Sequence, residues 1–276
     1  MKRILFLAIV LTLLFSSHAG ALTTNYFHCV DGASGSLVSF ATYTSSTVIY
    51  PHGRSGVGST YHFQGRAPGG GGGGARGGST LLLAAGGAGA AGELFDFWCM
   101  TSGNSASITI GSPGAGGGAT GLTGSDGGSI SITCGGQTIV AAGGGAGYGQ
   151  DGTSGGVSFG GVAPGGICAA GSGDATLIPG APGGTGWSFP DGAGWVGMSG
   201  NGGGDGGGRG CMAATSGGGI ACTPNAGANG GGGAGGLSWT SSGGTAGANG
   251  GGGFVTVTEF AGIPQNWNAV SGCSPM

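Results

Sequence analysis

Short alternating segments punctuate long stretches that carry almost no large side chains. Leu37-Val-Ser-Phe-Ala-Thr-Tyr43 and Thr47-Val-Ile-Tyr50 are β-branched and aromatic, and with Ser45-Ser46 between them they predict a small hairpin. Leu81-Leu-Leu-Ala-Ala85 reads as an apolar strand and Ser107-Ile-Thr-Ile110 as an alternating one. Ser129-Ile-Ser-Ile-Thr133 and Gln137-Thr-Ile-Val-Ala-Ala142, joined by Cys134-Gly135-Gly136, predict a second hairpin. Val255-Thr-Val-Thr258 predicts a closing strand. Three of these segments hand over directly to glycine: Gly86–Gly92, Gly111–Gly118 and Gly143–Gly147.

Glycine changes the picture most. The chain has 276 residues and 79 of them are glycine. That share approaches collagen's, but collagen needs glycine at every third position, and Glu93-Leu-Phe-Asp-Phe-Trp98 and Ser129–Cys134 break that phase. Glycine runs cannot hold an α-helix, because each residue loses the most backbone entropy on ordering. One octapeptide occurs twice, as Ala226-Gly-Ala-Asn-Gly-Gly-Gly-Gly233 and again from Ala246 to Gly253. The second copy leads straight into the closing strand. An exact repeat beside apolar strands reads as architecture rather than as a flexible linker. Glycine runs pack as polyproline II helices, with three residues per turn and a rise of about 3.1 Å, when a neighbouring run accepts their backbone hydrogen bonds. The 20-residue spacing of the octapeptides suits one out-and-back unit of such a bundle.

The expected organisation has four parts. Residues 1–21 read as a signal peptide: Lys2 and Arg3, an apolar Ile4–Phe15, and an Ala19-Gly20-Ala21 cleavage site. Residues 22–66 read as a small β-rich head, 67–260 as the glycine-rich polyproline II and β domain, and 261–276 as a C-terminal tail. The fold class is thus irregular and mostly non-helical, a bundle or sandwich of glycine-rich polyproline II helices with short β-strands. After cleavage no lysine remains, and four arginines face nine acidic residues, a formal charge of −5. That composition provides no basic face for nucleic acid. No apolar run outside the signal reaches the length of a membrane span, so no transmembrane anchor is expected in the mature chain.

All seven cysteines lie beyond residue 21, and export makes disulfides the expectation. Cys211 with Cys222 is the most plausible local bridge, and Cys29 with Cys273 a tie between the chain ends, with connectivity left open. His28, His52 and His62 near Cys29 read as surface or sheet residues rather than as a metal site. The G-x-G-x-x-G match at Gly87, Gly89 and Gly92 has no helix after it, and the G-x-S-x-G match around Ser154 lacks strand, helix and a nearby histidine. Both read as chance matches in glycine-rich text. No acid, base and nucleophile set stands out, so neither an enzyme nor a cofactor is expected.

Ser107-Ile-Thr-Ile-Gly-Ser-Pro-Gly-Ala-Gly-Gly-Gly, Ala141-Ala-Gly-Gly-Gly-Ala-Gly and Gly250-Gly-Gly-Gly-Phe-Val-Thr-Val carry a resemblance. Over Pro68 to Phe260 the chain resembles the glycine-rich domain at the tips of bacteriophage tail fibres and related adhesins. That resemblance implies a polyproline II sandwich whose distal loops bind a bacterial surface receptor. The signal peptide, the cysteines and the N-terminal head depart from that family, so only the fold and the loop-presenting scaffold are carried over.

The expected function is an exported binding or adhesion module, secreted or at the cell surface. Its partner is a cell-surface receptor or glycan, or other copies of itself. Trp187, Phe189, Trp195 and Trp239, on or beside the loops, are the candidate ligand-binding residues, because their ring faces stack on sugars or apolar groups. A structural subunit of an extracellular filament or matrix is the first alternative, and an ice-binding protein with a polyproline II bundle the second.

Overall fold

The computed structural model describes residues 37–52, 58–77, 83–101, 104–151, 157–162, 167–168, 174–190, 195–215, 223–239, 244–261 and 272–275. At 157, 158, 167, 168, 174, 190, 195, 213–215, 239 and 272–275 only the backbone is described. Residues 1–21, Cys29 and Cys222 lie outside the described residues. No helix occurs among the described residues, and the chain is built from short, mostly antiparallel strands.

The strands in chain order begin with β1 (Leu37–Tyr43), β2 (Thr47–Ile49), β3 (Ser59–Arg66), β4 (Ala75–Arg76), β5 (Leu83–Ala85) and β6 (Leu94–Thr101). They continue with β7 (Ala106–Ile110), β8 (Ile130–Cys134), β9 (Gln137–Ala141), β10 (Gln150–Asp151), β11 (Val157–Ser158), β12 (Ile167–Cys168) and β13 (Asp174–Ile178). The last are β14 (Gly186–Pro190), β15 (Trp195–Met198), β16 (Met212–Thr215), β17 (Leu237–Trp239), β18 (Phe254–Ala261) and β19 (Gly272–Pro275).

Two sheets form a sandwich, with orders β1-β18-β3-β6-β13-β19 and β12-β9-β8-β7-β2. Alternation dictates the core. Tyr61 and Phe63 on β3, Phe95 and Phe97 on β6, and Val255 and Val257 on β18 face Ile108, Ile130, Ile132 and Ile139 of the other sheet. The rings of Phe63 and Phe97 stack at 5.7 Å between centroids. The β8–β9 hairpin forms as its pattern predicts, because Gly135 and Gly136 take φ of 58° and 81°, the left-handed pair that a two-residue hairpin turn requires. A disulfide between Cys99 on β6 and Cys134 on β8 ties the two sheets together.

The hairpin expected between β1 and β2 does not form. β1 pairs with β18 and β2 with β7, so residues 44–46 carry the chain from one sheet to the other. The cause is burial: Ile49 enters the core and Tyr43 packs against it, which each achieves from its own sheet. Residues 37–66, expected within a head, supply three strands, each paired with strands from later in the chain.

Beyond the sandwich, backbone hydrogen bonds join the glycine runs at every third residue. From residues 67–75, the amides of Gly69, Gly72 and Ala75 reach the carbonyls of Gly251, Ala248 and Thr245. Those of Gly70 and Gly73 reach Ala90 and Gly87, and those of Gly71 and Gly74 reach Ser125 and Leu122. The carbonyls of the same run accept from Gly114 and Gly117, from Gly144, Gly147 and Gln150, and from Gly233 and Gly236. Three neighbours therefore run antiparallel and three parallel, and the run is enclosed on all sides. A Cβ at Gly71 would lie 1.9 Å from the Ala115 carbonyl oxygen. Residues 86–93 form a second interior run, with amides bonded to 230–236, 142–148 and 181–184.

Candidate binding surface

The four-stranded sheet β11-β14-β15-β16 stands against the glycine lattice and presents one face outward. Period-2 alternation puts Trp187 and Phe189 of β14 on one side and Ser188 on the other. The β14–β15 register sets Trp187 opposite Met198 and Phe189 opposite Val196, and β15–β16 sets Met198 opposite Met212. Gly197 occupies the inner face, where an added Cβ would lie 2.4 Å from Leu83 Cδ2. Leu83 belongs to a small buried cluster with Ala85, Cys211 and Leu237, so the sheet is seated on the lattice through its glycine side.

The outer face is an apolar shelf. The rings of Trp187 and Phe189 stack at 4.6 Å between centroids and 12° between planes. Phe189 is 50% exposed and Met212 73%, while Trp187 and Met198 are half-buried. The chain continues from β11, whose Val157 pairs with Trp187, to the exposed Phe159, whose carbonyl accepts from Tyr148 of the next run.

Of the four aromatics singled out from sequence, the structure brings Trp187 and Phe189 together. Trp195 lies in the same sheet, opposite Pro190 and Thr215, and Trp239 lies in another, opposite Leu83 in the β17–β5 pair; the side chains of both fall outside the described residues. All four sit in strands rather than in loops. Sequence reading missed Met198 and Met212, although the alternation Trp187-x-Phe189 against Val196-x-Met198 carries the signal. Cys211 is disulfide-bonded, and Cys273 is in β19 opposite Ala175.

The polar clusters lie elsewhere. Glu259 on β18 is fully buried on the core side. Its carboxylate accepts from His52 Nδ1 at 2.8 Å, the His52 amide at 2.9 Å, Ser59 Oγ at 3.0 Å and Ser39 Oγ at 3.2 Å. Burial pushes this carboxyl up, but the hydrogen bonds from His52, Ser59 and Ser39 outweigh it and hold the group below the usual glutamate range. Burial and the neighbouring Glu259 carboxylate push the Tyr61 hydroxyl up. Both serine hydroxyls bond the carboxylate and not the imidazole, so the cluster is a clamp that fixes Pro51–His52 to β1, β3 and β18 rather than a nucleophile relay. His62 bonds Asp96 at 2.9 Å and stacks on Trp98 at 3.9 Å, an arrangement that occupies both partners within the sheet. Among the described residues, no group of three or more His, Cys, Asp or Glu is placed to hold a metal ion. No helix long and apolar enough to cross a membrane occurs among the described residues.

Compared with known proteins, the chain matches no family model and no curated protein sequence.

Proposed function

We propose that this chain is an exported binding module in which a rigid bundle of glycine-rich polyproline II helices, braced by the β-sandwich, presents an aromatic shelf to a cell-surface receptor or glycan. The polyproline II reading is supported by the three-residue spacing of the hydrogen bonds around residues 67–75, which is the period of that helix. The recognition reading rests on the stacked Trp187–Phe189 pair, exposed on a sheet whose other face is locked to the lattice. Exposed ring faces on a rigid support give large contact area at little entropic cost, which suits sugar rings and apolar groups of a surface receptor.

The test is binding of the mature chain to intact cells and to an immobilised panel of cell-surface glycans. A Trp187→Ala/Phe189→Ala double variant is expected to lose at least tenfold in affinity with an unchanged circular dichroism spectrum, because each ring contributes about 1 kcal/mol or more at a binding surface. Unchanged binding in that variant refutes the assignment of the shelf.

A further inference from the structure

The Cys99–Cys134 bridge fixes how the two sheets lie on one another, and strand register carries that alignment to their far edges. Only residues 44–46 link β1 to β2, so β2 starts beside the end of β1 and runs the opposite way. Antiparallel pairing outward from β1 and from β2 then gives β6 and β8 the same direction. In one sheet, Phe97 lies two residues before Cys99 on β6; it pairs with Ala175 on β13, which pairs with Cys273 on β19. In the other, Ile132 lies two residues before Cys134 on β8; it pairs with Ile139 on β9, which pairs with Cys168 on β12. Cys273 and Cys168 thus stand at equal offsets from the bridge. Each is two strands over, about 10 Å away from the β1–β2 side, and two residues along, about 7 Å in the shared direction. Paired residues share a face of their sheet, and Phe97, Ala175, Ile132 and Ile139 all belong to the core. Both cysteines therefore occupy core-face positions, on the strands that end their two sheets.

We propose that Cys168 and Cys273 form a second disulfide between the sheets, closing the side of the sandwich opposite the 44–46 link. A bridge needs Cα atoms about 4.4–6.8 Å apart. Cys99 and Cys134 meet that need at 6.1 Å across the same two sheets, and the equal offsets carry the approach to the outer pair. The edge strands gain most from such a tie. β12 joins its sheet through two residues, and among the described residues β19 is held only by β13. The tie spans 105 positions of sequence (273 minus 168), so it removes much of the freedom of the unfolded chain. It forms by exchange with an external disulfide, either a protein disulfide or a small oxidised thiol. One cysteine thiolate attacks that disulfide, making a mixed disulfide and releasing one external thiolate. The other cysteine thiolate then displaces the second, and the two cysteine protons end on the two external thiols. Cys273 is then not available to Cys29, and Cys211, itself disulfide-bonded, pairs with Cys29 or Cys222. None of this depends on what the aromatic shelf binds.

The experiment is peptic digestion of the oxidised, unreduced mature chain in acid, where the scarcity of thiolate suppresses exchange, followed by mass spectrometry. The expected map links the peptide that holds Cys168 to the peptide that holds Cys273. Alkylation in denaturant without reductant gives a second readout. Cys168→Ala and Cys273→Ala should each add one alkylated thiol to the wild-type count, and the double variant should add none. Either substitution already breaks the bond, so the double variant should melt no lower than the less stable single variant. A map that links Cys273 to Cys29 overturns the proposal. So does alkylation of Cys168 or Cys273 in the wild-type chain, and so do losses of stability that add in the double variant. The wild-type map decides by itself if a variant does not fold.

Discussion

The same eight residues adopt two shapes in this molecule. In the first copy, Asn229 and Gly230 take φ of 48° and 74°, and the Gly231 amide bonds the Ala228 carbonyl, so the chain reverses. In the second copy no residue has a positive φ, and the chain runs straight from Ala246 into β18. The straight copy lies antiparallel to residues 231–236, with Ala248 bonded to Ala234 and Gly251 to Gly231. Local preference is identical in both, so surroundings decide. Gly230 lies over the Arg66 side chain, whose Cγ and Cδ are 2.6 Å from where a Cβ would stand, so the reversed copy packs its turn against that side chain. Asn249 instead extends its Oδ1 to the Gly116 amide at 2.8 Å, a bond that a straight run permits.

The sharpest test of this difference uses equivalent positions. A Cβ at Gly232 would fall 1.9 Å from the Gly89 carbonyl oxygen, and no rotamer relieves a backbone clash. Gly232→Ala is expected to cost about 3 kcal/mol or more, measured as a lowered denaturation midpoint. Its counterpart Gly252 is exposed with nothing within 4 Å, so Gly252→Ala should be neutral or slightly stabilising. Equal costs at the two positions would break the comparison.

Next in size is the anchor at the far end of β18. Its carboxyl titrates below its unfolded value, so the stabilisation it provides is full above about pH 4.3 and is lost as pH falls through the lower folded value. Glu259→Gln should cost about 1–3 kcal/mol at pH 7. The gap between wild type and variant should narrow as pH drops below 4, followed by thermal melts across pH. The smallest effects belong to the asparagines. Asn249→Ala should cost about 1 kcal/mol through the loss of the Gly116 bond. Asn229→Gly, at a left-handed position that glycine adopts freely, should change stability by about 0.5 kcal/mol or less in either direction.

Legibility in the sequence followed the same division between local and distant causes. The alternation of Ile130-Ser-Ile and the Gly135-Gly136 turn are local, and β8–β9 could be read from them. The return of the second octapeptide alongside the first was legible as a spacing. Whether β1 would pair with β2 was not, because the choice lies with β18, more than 200 residues away, and with the two faces of a core that Tyr43 and Ile49 enter from opposite sheets. The Cys99–Cys134 bridge was hidden for the same reason: the residues meet only because β6 and β8 lie in facing sheets. At the shelf, Trp187 and Phe189 could be picked out as aromatics. Their stacking and their methionine neighbours depend on strand register, which glycine-rich flanks do not encode.

The enclosed run at residues 67–75 has a consequence for how the chain reaches this state. It is the first glycine run to be synthesised, yet its amide at Gly69 is satisfied by Gly251, 182 residues later. Its other partners are scattered between residues 87 and 248. Almost none of its contacts are local, so loop-closure entropy must be met before any bond offsets it, which places folding at the slow end for a domain of this size. During synthesis the chain therefore cannot assemble this lattice progressively from its N-terminus. It emerges uncommitted and becomes ordered only once the second octapeptide has arrived to complete the innermost layer.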